Sequence, residues 1–137
     1  MKAMPREVIV ADDDFQMANL ITQTVLRFDP RAIVHRARNW GDAVDCYQRS
    51  PGGITVVVTD FCTNASYYLT DRIRGIEAQR DAEARKNGQN PGPRVPIILI
   101  SSYASWSEAR GHGCDVYLQK PVEVQKMGDA LSGFLYM

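Results

Sequence analysis

A doubly wound α/β fold, with a five-stranded parallel sheet and helices on both faces, is what this sequence predicts. Three observations carry that expectation. Five short apolar runs alternate with stretches of helical periodicity, the order that builds a parallel sheet by crossover connections. The third run, Ile54-Thr55-Val56-Val57-Val58-Thr59-Asp60, is β-branched and apolar without alternation, as in a strand covered on both faces. The apolar runs also end in polar residues, on the side where open α/β sheets gather their chemistry.

The elements follow in order. Glu7-Val8-Ile9-Val10-Ala11 is the first strand and ends in Asp12-Asp13-Asp14. Met17, Leu20, Ile21, Thr24 and Phe28 then recur at helical spacing, predicting a helix over 15–28 with Asp14 as its cap. Asp29-Pro30 stops it. Ala32 to Arg36 is the second strand. Trp40, Ala43, Val44 and Tyr47 mark a second helix capped by Asn39, and Ser50-Pro51-Gly52-Gly53 breaks the chain before the third strand.

Leu69, Ile73 and Ile76 place a third helix from Leu69 onward. Beyond Ile76 the run Glu77 to Lys86 is polar nearly all round, which predicts a solvated extension fraying before Asn87-Gly88. Glu77–Arg80 and Asp81–Arg85 are spaced to pair on its surface. Pro96 to Ile100 is the fourth strand, ending at Ser101-Ser102. A short helix over 105–110 is stopped by Gly111 and Gly113. Asp115 to Leu118 is the fifth strand, ending at Lys120-Pro121, and Val124, Met127, Leu131 and Phe134 set the last helix on the sheet.

A chain of 137 residues is expected to form one domain with a real core. Its 16 basic and 16 acidic residues cancel, so no overall field draws it to nucleic acid or to a membrane surface. The apolar runs are strand-sized and too short to span a bilayer. No leader pattern opens the chain, and three cysteines without metal-type spacing fit free thiols in a reducing cytoplasm.

With adjacent parallel strands, the ends carrying Asp12, Asp13, Asp60, Ser101 and Lys120 converge. Two like charges ~4 Å apart repel by about 4 kcal/mol at an effective dielectric near 20, so clustered carboxylates call for a cation. An oxygen-rich site of this kind suits Mg²⁺, which can also stabilise the oxygens of a transferring phosphoryl group.

The pieces Val10-Ala11-Asp12-Asp13-Asp14, Val57-Val58-Thr59-Asp60, Ile98-Leu99-Ile100-Ser101-Ser102 and Tyr117-Leu118-Gln119-Lys120-Pro121, in this order, resemble the receiver domain of two-component response regulators. The resemblance covers nearly the whole chain and implies a flavodoxin-like receiver topology, with 1–137 a single receiver domain lacking an output domain. It implies Asp60 as phosphoacceptor, taking a phosphoryl group from a histidine kinase or phosphotransfer protein. Asp12, Asp13, Asp60 and the carbonyl of Cys62 would hold Mg²⁺. Lys120 would pair with Asp60 across a cis Lys120–Pro121 bond, Ser101 would bind the phosphoryl group, and Tyr117 would change rotamer with it. The signal would pass through the fourth helix, fifth strand and fifth helix to a downstream protein partner. Such a domain phosphorylates itself and slowly loses the group, without being an enzyme acting on other substrates.

The chain departs from the family after the acceptor. Phe61 to Tyr68 contains neither the usual Met-Pro pair nor the Gly that follows it, Ser102 replaces a common Ala, and Tyr103 comes next. Tyr103 beside Cys62 is expected to hinder attacking water and lengthen the phosphoryl lifetime. Two other readings stand beside the first. One is a receiver-like interaction module that is never phosphorylated. The other is a phosphatase of the haloacid dehalogenase type, disfavoured because Cys62 occupies the place of its second Asp. Taken singly, Asp12 to Asp14 is a helix cap, Ser101 a turn hydroxyl and Tyr117 a half-buried strand aromatic. His35 and His112 suggest no metal site.

Overall fold

The computed structural model describes residues 5–50, 53–61, 65–102 and 105–135. Within them, strands β1 (Glu7–Asp12), β2 (Ile33–Ala37), β3 (Val56–Asp60), β4 (Ile97–Ser101) and β5 (Val116–Gln119) alternate with five helices. These are α1 (Phe15–Phe28), α2 (Trp40–Arg49), α3 (Ala65–Lys86), α4 (Trp106–Gly111) and α5 (Val124–Leu135). All the strand pairings are parallel and the sheet order is β2-β1-β3-β4-β5. The fold is the expected flavodoxin-like one.

The period-two alternation of the strands divides the core in two. Val8, Val10, Val56, Val58, Ile98 and Ile100 point to one face, where Ile21 and Val25 of α1 and Met127, Leu131 and Leu135 of α5 cover them. Ile9, Val57, Ile97 and Leu99 point to the other, against Val44 and Tyr47 of α2 and Leu69 and Ile73 of α3. Each such side chain, when fully buried, contributes roughly 1.5–3 kcal/mol. Together they make the sheet the rigid part on which the strand ends are mounted.

The predicted caps act where the sequence places them. Asp14 accepts from the N–H groups of Gln16 and Met17, and Asn39 from Asp42; Ser105, expected inside the fourth helix, instead caps it by accepting from the Glu108 N–H.

The third helix differs from expectation at three points. It begins at Ala65, four residues before Leu69, because Ser66 is buried and bonded to the end of β3. Its extension is not simply solvated. Glu77 is buried, its carboxylate held by Arg74 Nη1 at 2.6 Å and by the Val95 N–H at 2.7 Å, so the expected Glu77–Arg80 pair is replaced. Arg80 instead donates to the Tyr47 hydroxyl across the gap to α2, and its guanidinium lies over that ring. The helix also does not fray. Gly88, at φ +72°, closes it with N–H bonds from Gly88 to the Arg85 carbonyl and from Gln89 to that of Ala84. Among the described residues, no helix is long and apolar enough to cross a membrane.

Candidate functional site

The sheet order reverses direction between β1 and β3, the place where ligands bind in open α/β sheets. Two carboxylates stand there. Asp12 ends β1, Asp60 ends β3, and the two are register partners. Both belong to continuously apolar strands, so they inherit the burial of the core: Asp12 is 4% exposed and Asp60 1%. Asp13, one residue beyond the strand, is exposed.

Lys120 brings the neutralising charge from the other side. Its Nζ lies 2.7 Å from Asp60 Oδ1, and the Lys120–Pro121 bond is cis. The Lys120 N–H donates to the Ser101 carbonyl at 3.0 Å, which extends the β4–β5 ladder to the site. Ser101, 8% exposed, ends β4 beside β3. The hydroxyl of half-buried Tyr117 reaches the same Ser101 carbonyl at 3.4 Å. The strand ends thus gather Asp12, Asp60, Ser101 and Lys120, with Asp13 and Tyr117 adjoining. Cys62 and Tyr103 lie outside the described residues, and so do the expectations resting on them.

The electrostatics are those of a site short of positive charge. Burial pushes the Asp12 carboxyl up to about 7; the Asp60 charge adds to the rise, while the Asp14 N–H and Lys120 oppose it. Burial likewise raises Asp60 above the ordinary carboxylate range against the pull of Lys120. Asp12 Oδ1 accepts from the Asp14 N–H at 2.7 Å. Among the described residues, Asp12 Oδ2 and both Asp60 oxygens are buried with no well-directed hydrogen bond, the Lys120 contact being an ion pair by distance. Buried oxygens in this state are costly, and their chemistry suits a hard cation.

Among the described residues, no three His, Cys, Asp or Glu side chains form a closed metal cage. The described side chains alone do not complete a metal site; what they offer is buried carboxylate oxygen, a hard donor.

Two features of the site escaped the sequence. A cavity of about 180 Å³ beside Asp12 and Asp13 is lined by Phe15, Ala18, Arg36, Ala37 and Arg38, which brings arginines near the carboxylates from β2 and just beyond it. The Arg36 guanidinium is fixed there by Asn19 Oδ1 at 2.7 Å and by the Phe15 ring. The second is Ser66, whose hydroxyl meets Thr59 Oγ1 at 2.8 Å and accepts from the Phe61 N–H at 3.2 Å. The absence of Pro and Gly after Asp60 was the only hint that the chain must be held there by other means.

This architecture is that of response-regulator receiver domains, and solved structures align with the chain nearly end to end. One is a chain of the co-crystal structure of the Saccharomyces cerevisiae histidine phosphotransfer signalling protein Ypd1 with the receiver domain of its downstream response regulator Ssk1. It is 20% identical over 99% of this chain and 93% of its own, with a TM-score of 0.72. The chemotaxis response regulator CheY4 of Vibrio cholerae is 17% identical over 96% of this chain and 100% of its own, TM-score 0.70. The receiver domain of the Pseudomonas aeruginosa sensor histidine kinase PA1611, solved with magnesium in its active-site cleft, is 20% identical over 98% of this chain and 100% of its own, TM-score 0.65. No protein-family model and no curated protein sequence matches the chain.

Proposed function

We propose that this protein is a phosphorylation-dependent signalling switch of a two-component or phosphorelay system, with Asp60 as its phosphoacceptor. The observation that carries the reading is the pairing of Lys120 Nζ with a buried Asp60 beside a second buried carboxylate at the topological switch point. An Asp60 oxygen attacks the phosphorus of a phosphohistidine on a kinase or phosphotransfer protein. The P–N bond breaks, and the imidazole leaves with the electron pair and takes up a proton. Lys120 stays beside the acceptor and offsets charge gathering on the phosphoryl oxygens.

Asp12, Asp13, Asp60 and the Cys62 carbonyl would hold Mg²⁺, which, when bound, offsets the carboxylate charge and stabilises phosphoryl oxygens. Phosphorylation adds ≈ −1.5 to −2 charges beside Ser101. Ser101 turns toward them, and Tyr117, tethered to the Ser101 carbonyl, moves with it. The signal leaves through α4, β5 and α5 to a protein target in the cytoplasm. Zero net charge gives no general attraction to nucleic acid.

The neighbours support this reading by fold, and the solved Ypd1–Ssk1 complex and the magnesium-bound PA1611 domain illustrate the partner and the ion. Acetyl phosphate with Mg²⁺ should add one phosphoryl mass to the intact protein and none to Asp60→Asn. A parent protein that takes up no phosphoryl group would point instead to an interaction module with a receiver fold.

A further inference from the structure

We propose that Ser66, the second residue of α3, is the positioning residue of the acceptor, standing in for the proline and glycine constraint that this chain lacks after Asp60. The inference rests on the reading of Asp60 as phosphoacceptor and adds a residue to its machinery.

The geometry is specific to the two residues flanking Asp60. The Phe61 N–H belongs to the peptide unit that follows the Asp60 Cα, and it donates to Ser66 Oγ at 3.2 Å. Thr59, the residue before, meets the same oxygen at 2.8 Å. One hydroxyl therefore meets the Thr59 side chain before the acceptor and the Phe61 backbone after it. All three partners are buried: Thr59 is 0% exposed, Phe61 6% and Ser66 3%. Water does not compete for these bonds, so losing the hydroxyl leaves a buried donor unmet.

Asp60 is aimed from two directions. Lys120 Nζ holds its Oδ1 at 2.7 Å, and the backbone that carries the carboxylate is braced through the Phe61 N–H. Ser66 supplies that brace. Thr70 holds Ser66 in turn, donating to the Ser66 carbonyl at 2.8 Å, a bond that secures the helix without touching the bridging hydroxyl. Thr70 is thus a control for packing alone.

The test compares the parent with Ser66→Ala, Ser66→Thr and Thr70→Val, each checked for stability by urea unfolding. Beryllofluoride binding with Mg²⁺ is followed by fluorine NMR, and the phosphoryl half-life by intact mass after acetyl phosphate treatment. Ser66→Ala should weaken beryllofluoride binding and shorten the half-life by about tenfold each, the loss expected for one well-placed hydrogen bond. Ser66→Thr, which keeps the hydroxyl, should recover most of both, and Thr70→Val should match the parent whatever its stability.

Parental behaviour of Ser66→Ala, or equal impairment of Ser66→Ala and Thr70→Val, overturns the assignment. If Ser66→Ala does not fold, Thr59→Val removes one arm of the bridge and should shift both readouts in the same direction. An unchanged Thr59→Val then overturns it. A parent that binds no beryllofluoride overturns the acceptor reading itself, and the role of Ser66 falls with it.

Discussion

Asp12 and Asp60 face each other as register partners at the carboxyl ends of β1 and β3, both almost fully buried, with three of their four oxygens lacking a directed hydrogen bond among the described residues. Two apolar strands have carried two acids into the rim of the core, and Lys120 pairs with one of them. The site is poised to bind positive charge because the fold has already borne the cost of desolvating the negative charge. Its stability should therefore respond to protons and to divalent cations in opposite directions of pH.

The pH dependence follows from the direction of the shifts. Asp12 is raised from an ordinary 3.8 to about 7, and Asp60 is raised too, so the folded metal-free protein binds more protons than the unfolded chain between these values. The stabilising contribution is complete below the unfolded pKa and is lost as pH rises through the folded one. Thermal unfolding in a chelator should show a falling midpoint from about pH 4 toward pH 7 from this pair. Mg²⁺ should restore the midpoint at neutral pH and have little effect near pH 4. A chelated protein that gains stability over this window would contradict the assignment.

Asp60→Asn should stabilise the metal-free protein at neutral pH while removing phosphorylation. It relieves the repulsion with Asp12, and the Lys120 side chain, 25% exposed, can regain water. A gain of about 1–2 kcal/mol is expected in chelator, with the gain reduced when Mg²⁺ stabilises the parent. Urea unfolding with and without Mg²⁺ measures both; a loss of stability in chelator would mean that Lys120 compensates Asp60 fully.

The site was legible because its residues are the first polar groups after apolar runs. Asp12, Asp60 and Ser101 each close a strand, Lys120 follows the end of one, and the parallel sheet leaves them one place to meet. Ser66 and Glu77 were not legible, for a shared reason. Their partners lie off the local pattern: Thr59 and Phe61, on and just past the end of β3, for Ser66, and the Val95 N–H, 18 residues on, for Glu77. Helical periodicity assigns a glutamate to the solvent face, and only the packing of α3 over the start of β4 shows this one turned inward. The start of α3 at Ala65 was hidden too, since the apolar helical spacing read from the sequence begins only at Leu69.

Glu77 should accordingly behave as a core residue. Glu77→Ala removes a buried carboxylate and leaves the Arg74 guanidinium, itself 15% exposed, and the Val95 N–H without their shared partner. Breaking a buried pair from one side costs about 3–5 kcal/mol. Asp115, which also holds Arg74 at 2.8 Å, should bring the loss toward the lower figure. By contrast Asp81→Ala, for which the same helix offered only a surface pair, should change stability by less than about 0.5 kcal/mol. Urea midpoints for the two variants decide the matter, and similar small losses in both would return the extension to a solvated helix.

Tyr67 offers the opposite case, a polar atom whose removal should help. Its ring is stacked on His112 with centroids 4.1 Å apart, and His112 Nδ1 is 2.9 Å from Asp71, so the ring clamps α3 to the end of α4. The hydroxyl at its far end is buried with no hydrogen-bond partner among the described residues, and burial holds its pKa above that of a free tyrosine. A buried hydroxyl with nothing to bind costs free energy that its own deletion recovers, while the stacking contact stays. Tyr67→Phe should therefore be neutral or stabilising by up to about 1 kcal/mol, and Tyr67→Ala should lose about 3 kcal/mol through the cavity it leaves. Unfolding midpoints of the pair separate ring from hydroxyl. A clear loss of stability in Tyr67→Phe would show that the hydroxyl has a partner in solution, and would make that partner the next group to find between α3 and α4.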